Sequence, residues 1–268
     1  MTSSTEMQRK LYSAYSDFVQ TAERKRHWSV YDDIPWDAID GGQENEEKAI
    51  LIETFCLEEL YVPDYCARGV ELMRPWFGLA WFQINWSAEE AKHGLALREY
   101  LIRSGLRSEA DFDVLWSEVF AKPWSLPFST AREMSCYGAI QEAATYAAYQ
   151  AQKLVAAEAG DAALEAIFSH ISRDEAAHAG FYRTVIAIHL DEDRVGTIAD
   201  LAHVLSHFRM PGDERIPNYR QRLQEGGGGI SARSFLQRAV LATLRSLGLT
   251  RDDLRGVPPR EQLRVAVA

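Results

Sequence analysis

Two Glu-x-x-His pairs, each following a lone Glu, mark where this chain could do chemistry. Glu90 and His93 lie in WSAEEAKHG, 31 positions after Glu59, and Glu175 and His178 lie in SRDEAAHAG, 33 positions after Glu142. Residues three apart share a helical face, so each pair aims a carboxylate and an imidazole at one point. Two pairs and two lone Glu residues give four carboxylates and two imidazoles on four helices, the ligand set of a carboxylate-bridged two-metal site in a helical bundle. Hard oxygen donors with one imidazole per metal suit iron or manganese rather than structural zinc. Four carboxylates balance two divalent cations, and two of them can span both ions. Reduced iron so held can meet dioxygen, with the protein steering the oxidation through pocket shape and hydrogen bonds.

The neighbours of these residues separate them from ordinary surface glutamates. Glu142 shares its face with Gly138, Thr145, Tyr146 and Tyr149; Glu175 with Ile171, Ala179 and Tyr182; Glu90 with Trp86, Gly94 and Leu97. An unpaired carboxylate among such groups is costly, and four together repel one another without a cation. The first ligand has two candidates, because Glu58 and Glu59 are adjacent. Phe55, Cys56 and Val62 flank Glu59, whereas Glu58 falls with Thr54, Tyr61 and Tyr65. The apolar face favours Glu59 and leaves Glu58 as the alternative.

Helices must position these groups, and helical periodicity dominates the chain while strand signals are nearly absent. The pattern predicts helices over about 4–25, 44–72 with Pro63 kinking it or loosening a turn, 74–104, 109–120, 129–159 with Ser129 as N-cap, and 162–190. Gly105 and Gly160 follow two of these as helix stops. HWSVYDDIPWDAIDGGQ reads as a loop. Glu59 and Glu142 are 83 residues apart and Glu90 and Glu175 are 85 apart, so two helical hairpins repeat one pattern. The repeat stops there. One domain is expected over 1–268, with a metal-binding bundle at about 44–190 and a helical extension at about 191–268.

A formal net charge of −10 argues against nucleic acid as the main partner. No apolar run reaches eighteen residues, and the N-terminal stretch lacks an apolar secretory core. Cys56, Cys66 and Cys136 are too widely spaced for a zinc knuckle or a disulfide framework. A soluble protein of a reducing cytoplasm is expected. From Arg209 onward, 11 Arg face only six Asp or Glu, so a basic tail follows an acidic body. Such a tail is a solvated surface or a docking face for an acidic partner.

With these motifs in hand, the sequence resembles the soluble acyl-carrier-protein desaturases, the plastid stearoyl type and above all the shorter mycobacterial members. WSAEEAKHGLALREYL resembles that family's W-T-A-E-E-N-R-H-G segment, FSTAREMSCYGAIQEAATY its F-Q-E-R-A-T segment, and ISRDEAAHAGFYRTVI its A-D-E-x-R-H segment. EELYVPDY resembles T-E-x-x-L-P-x-Y, and its gap-free match through Pro63 and Tyr65 places the first ligand at Glu59. HWSV and FRMPGDERIPNYRQR carry further likeness, which extends over roughly residues 10–258.

The resemblance implies an all-α, ferritin-like four-helix bundle with additional N- and C-terminal helices. It implies a homodimer with two iron ions (Fe2+/Fe3+), dioxygen, electrons from a ferredoxin-type donor, and an acyl chain delivered on acyl carrier protein. The product would be a double bond in that chain. Glu90 and Glu175 would bridge the irons, Glu59 and Glu142 would be terminal carboxylates, and His93 and His178 the imidazoles. Thr145 would be the polar group on the oxygen-binding side. Trp28 and Asp174 would stand behind His93. The Arg after the Glu142 position and the Arg of the last E-x-R-H are Ala143 and Ala177 here. A related oxygenase that hydroxylates or N-oxygenates its substrate is the competing reading, and a ferritin-like iron-binding protein a third. Ile171 stands where arylamine N-oxygenases of this bundle class carry a third His, which speaks against them.

An acyl tail also needs a dry channel, for which Trp86, Tyr146, Tyr149 and Phe181 are the candidate walls. Arg220, Arg222 and Arg233 are candidates for docking an acidic carrier, with Arg24, Lys25 and Arg26 as the alternative cluster.

Overall fold

Caps set where the ligand-bearing helices begin. The computed structural model describes residues 2–125 and 128–255. Asn45 accepts from the Lys48 amide to start α2 (Glu46–Glu59), and Asp161 accepts from the Leu164 amide to start α7 (Ala162–Glu192). Thr130 and Glu133 form a reciprocal capping box at the head of α6 (Ala131–Glu158). The N-cap is therefore Thr130, one residue past the predicted Ser129. Ser129 donates its own amide to the same Glu133 carboxylate. Gly160 follows α6 at φ 72°, a left-handed stop.

The interruption near Pro63 goes further than a kink or a loosened turn. The helix breaks at Leu60–Tyr61, and Pro63 sits in the first turn of a separate helix, α3 (Val62–Met73). Amides of a first turn need no helical partner, so proline starts a helix there at no hydrogen-bond cost. α4 (Phe77–Arg103) and α5 (Glu109–Val119) follow.

The ligand-bearing helices α2, α4, α6 and α7 form a ferritin-like bundle, and no strand occurs among the described residues. α6 and α7 make the most extensive pairing, and α2 packs on α4. Gly138 permits this close approach, since a Cβ there would lie 2.5 Å from the Tyr182 ring. α1 (Thr2–Thr21) lies against α4 and α7 and ends in a π-helical turn, Ala22–Arg26. Among the described residues no helix is long and apolar enough to cross a membrane.

The C-terminal part wraps the bundle. α8 (Arg194–Ser206) lies on α6 and α7. A 3-10 turn at Pro211–Glu214 and α9 (Tyr219–Glu225) meet α2. A helical rod then runs through α10 (Ala232–Ser234), a π-helical stretch (Phe235–Val240) and α11 (Leu241–Ser246) along α6. A short α12 (Arg251–Arg255) meets α8. Arg260 and Arg264 of the basic tail lie outside the described residues.

Candidate metal centre

All six predicted ligands converge in the bundle and are buried, Glu59 being the most exposed at 7%. They form two overlapping groups: Glu59, Glu90, His93 and Glu175, and Glu90, Glu142, Glu175 and His178. Glu90 and Glu175 belong to both. The Glu90 oxygens lie 3.1 Å from His93 Nδ1 and 2.9 Å from His178 Nδ1. The Glu175 oxygens lie 3.3 and 3.9 Å from the same two nitrogens. Glu59 Oε2 is 3.8 Å from His93 Nδ1, and Glu142 Oε2 is 3.7 Å from His178 Nδ1.

The helical register explains the convergence. Each Glu-x-x-His pair shares one face of α4 or α7, while Glu59 and Glu142 come from α2 and α6. Glu58, the alternative first ligand, turns away. It accepts from the Tyr219 hydroxyl at 2.8 Å and the Gly212 amide at 3.3 Å, both in the C-terminal part.

The donor set fits a pair of cations. Glu90 Oε1, Glu142 Oε2, both Glu175 oxygens and His178 Nδ1 are buried without a hydrogen-bond partner, although His178 Nδ1 and Glu90 Oε1 are only 2.9 Å apart. Buried polar atoms are rarely left so, and ligation is what satisfies a cluster of them at once. The charges lean the same way. Burial and the Glu90 charge push Glu59 up to about 8. Burial, then Glu90 and Glu142, push Glu175 well above the carboxylate range. Burial alone would raise Glu90, but the two imidazoles hold it low. The same carboxylates raise His93 and His178 against the opposing pull of burial.

Behind the imidazoles stands a ring of further polar groups. His93 Nε2 is 3.4 Å from Asp174 Oδ2, which also accepts from Trp28 Nε1 at 2.7 Å. The Trp28 ring stacks on His93 at 6.4 Å between centroids. His178 Nε2 is 2.7 Å from Glu89 Oε2. Sequence reasoning found Asp174 and Trp28 but missed Glu89 and Arg26, whose guanidinium contacts both Asp174 and Glu89. A signal for Glu89 was present, since an acidic residue precedes the Glu of each pair: Glu89 before Glu90, Asp174 before Glu175. Outward carboxylates of this kind fix the imidazole tautomer and leave Nδ1 free to bind a metal. Trp86 Nε1 donates to Glu142 at 2.9 Å, and the Tyr149 hydroxyl donates to Glu59.

A cavity of about 40 Å³ touches Glu59, Glu90 and Glu142 and is also lined by Trp86, Gly138 and Thr145. It shares Glu58, Thr145 and Tyr149 with an outer cleft of about 690 Å³ walled by Phe55, Phe208, Met210, Leu223, Ile230 and Phe235. That volume falls within the range of small-ligand sites, ~300–1,000 Å³. Thr145 is on the wall, with its hydroxyl bonded back to the Gln141 carbonyl at 3.1 Å. Of the expected channel walls, Trp86 and Tyr149 take their places. Tyr146 and Phe181 line neither space. Tyr146 is 39% exposed, and Phe181 stacks on Phe82 at 3.6 Å beside Phe18 of α1.

An all-α bundle with two overlapping Glu/His groups at its centre is the architecture of the helical carboxylate-metal proteins. Comparison narrows the class. The family model described as "Fatty acid desaturase" matches residues 70–221, more than half of the chain. The chain belongs to that family. It is 26% identical over 255 residues to DesA1 of Mycobacterium tuberculosis, named as a candidate acyl-[acyl-carrier-protein] desaturase; the match spans 85% of this chain and 74% of DesA1. It is 29% identical over 182 residues to DesA2 of the same organism, which carries the same designation, spanning 66% of this chain and 63% of DesA2. The crystal structure of DesA2 from strain H37Rv superposes with a TM-score of 0.65 at 22% identity, covering 96% of this chain and 98% of that one. That likeness concerns the fold.

Proposed function

We propose that this protein is a di-iron, oxygen-dependent oxidoreductase that introduces a double bond into an acyl chain carried on acyl carrier protein. The observation that carries the reading is the meeting of two candidate ligand groups, sharing Glu90 and Glu175, with a small cavity that has Glu58, Thr145 and Tyr149 in common with a larger apolar cleft. Glu59, Glu90, His93 and Glu175 would hold one ion, and Glu90, Glu142, Glu175 and His178 the other. Two iron ions, when bound, would supply the oxygen activation that removal of two hydrogens from an unactivated carbon chain requires, with dioxygen leaving as water after taking two electrons from an external donor. Manganese fits the same donors.

The residues around the ions supply selectivity. The cleft removes the acyl chain from water, worth about 0.8 kcal/mol per buried CH₂. Tyr149 and Thr145 stand where cleft and cavity meet, so they limit which carbons reach the ions. Trp86 and Tyr149 hold the terminal carboxylates Glu142 and Glu59 by hydrogen bonds. Thr145, on the wall of the cavity beside these groups, would be the polar group on the oxygen-binding side. A ferredoxin-type donor would deliver electrons, and the working unit would be a homodimer in the cytoplasm.

Carrier docking is assigned to the cleft mouth. Arg220 lines the cleft and is bidentate with Asp213 at 2.8 and 2.7 Å, and Arg233 is exposed on α10. Arg222 does a different job. It is tied to Glu53 and Thr54 of α2 and holds α9 in place. Arg26 of the alternative cluster is buried.

The test is incubation of iron-loaded protein with saturated acyl carrier protein, reduced ferredoxin and oxygen, read by mass spectrometry. Loss of two hydrogens from the acyl group is the expected result. Gain of one oxygen would move the assignment to a hydroxylating or N-oxygenating enzyme. Iron uptake without any change in the acyl pool would leave a ferritin-like iron binder.

A further inference from the structure

The two halves of the centre are crossed in their outer support. Glu89, on α4, backs the imidazole of α7, and Asp174, on α7, backs the imidazole of α4. This repeats the pseudo-symmetry of the two hairpins. One residue breaks it. Arg26, from outside the four-helix bundle, places Nη1 at 2.6 Å from Asp174 Oδ1 and 3.2 Å from Glu89 Oε2, and Nη2 at 3.3 Å from Glu89 Oε1. A single guanidinium therefore serves both outer carboxylates.

We propose that Arg26 is a positioning residue that couples the two metal positions, by holding in one fork the carboxylates that orient His93 and His178. The inference rests on the two-metal reading of the centre. Arg26 is 6% exposed, and its guanidinium lies 4.8 Å from the Phe18 ring centroid. It ends the π-helical turn Ala22–Arg26, and such turns recur at functional sites because the extra residue redirects side chains. Here the turn brings Arg26 and Trp28 onto opposite oxygens of Asp174.

Charge explains why a cation is needed. Two divalent ions would neutralise Glu59, Glu90, Glu142 and Glu175, and buried Asp174 and partly buried Glu89 then add two further negative charges. Arg26 cancels one of them and links the pair. Without it the two carboxylates would repel or turn toward water, and each would lose its grip on an imidazole N–H. A planar fork can reach two carboxylates at fixed geometry, whereas a lysine ammonium supplies only a point charge. Loss of Glu89 should disturb mainly the His178 position, and loss of Asp174 mainly the His93 position. Loss of Arg26 should disturb both.

The experiment is Co2+ titration of the metal-free full-length protein, followed by its visible ligand-field bands, with bound metal counted by mass spectrometry. The parent protein, Arg26→Gln, Arg26→Lys, Glu89→Gln and Asp174→Asn are compared. Arg26→Gln should weaken both binding steps by about 10–100-fold and alter the bands of both ions, the usual scale for lost outer partners. Glu89→Gln and Asp174→Asn should each weaken mainly one step, and Arg26→Lys should recover part of the loss. In the Glu89→Gln/Asp174→Asn double variant, adding Arg26→Met should change affinity by less than about twofold, since nothing remains for the guanidinium to orient. This last comparison decides the matter even if Arg26→Gln does not fold. Parental binding and spectrum in a folded Arg26→Gln protein would overturn the proposal, as would weakening of only one step or a further tenfold loss in the triple variant. A parent protein that itself takes up fewer than two Co2+ would instead bring down the two-metal reading on which the proposal stands.

Discussion

A Glu175→Gln protein loses tight binding of both metal ions and, without metal, melts at a higher temperature than its parent at neutral pH. Glu175 belongs to both ligand groups, so its loss reaches both positions, whereas Glu59 and Glu142 each belong to one. The expected fall in affinity exceeds ~100-fold, beyond what the loss of an outer partner causes. The gain in stability has a separate origin. In the metal-free protein, burial and the charges of Glu90 and Glu142 keep the Glu175 carboxyl protonated well above the usual range. A folded-state pKa above the unfolded value contributes stability below the unfolded value, and that contribution is lost as pH rises through the folded value. Glutamine, which never ionises in the unfolded chain, escapes this loss. The advantage of Glu175→Gln should therefore be absent near pH 4.5 and grow toward pH 8. For a domain of this size ~1 kcal/mol corresponds to about 2–4 °C. Thermal melts of both metal-free proteins at acidic and mildly alkaline pH measure it. A metal-free variant less stable than its parent at pH 8 would show that Glu175 is a structural carboxylate rather than a ligand held against its own preference.

The convergence of the six candidate ligands was legible because helical spacing turns i, i+3 pairs into shared faces, and no tertiary information is needed to see that. The choice of Glu59 over Glu58 followed from the apolar face around Glu59, and the fold places Glu58 on Gly212 and Tyr219 instead. Other features depend on distant chain. Arg26 and Asp174 are 148 residues apart, and no local pattern joins them. The basic cluster at 24–26 reads as an alternative docking surface until α1 is known to lie on α4 and α7. The cleft was hidden for the same reason, since Phe208, Met210, Leu223, Ile230 and Phe235 come from the C-terminal wrap. Tyr146 shows the limit of periodicity. It stands one turn from Glu142, as does Thr145, yet the cavity wall runs through Gln141, Thr145 and Tyr149 and leaves Tyr146 on the outer side of α6.

Metal binding should release protons and tighten steeply with pH. In the metal-free centre Glu59 titrates at about 8, and Glu175, His93 and His178 are all raised. Near pH 7 these four groups carry protons that two cations must displace. Each proton released makes apparent affinity about tenfold tighter per pH unit. With two protons displaced per metal, binding should strengthen by about a hundredfold per unit between pH 6 and 7.5. Stability follows with the sign fixed by the direction of the shifts. Glu58 at about 7 and Glu59 at about 8 both lie above their ordinary value of 4.5, so the metal-free protein loses stability as pH rises from about 4.5 to 8. Glu90 and Asp174 are held low by the imidazoles, so their contribution is lost only as pH falls below the ordinary carboxylate values. The metal-free protein is therefore most stable in mild acid. The loaded protein keeps Glu59 and Glu175 ionised against cations and is spared most of the alkaline loss. The gap between loaded and metal-free melting temperatures should widen steadily toward pH 8, and calorimetry in buffers of different ionisation enthalpy should count the protons released. A constant gap with no proton release would mean that the metals bind outside these six residues, because no cation can enter this centre while its protons stay in place.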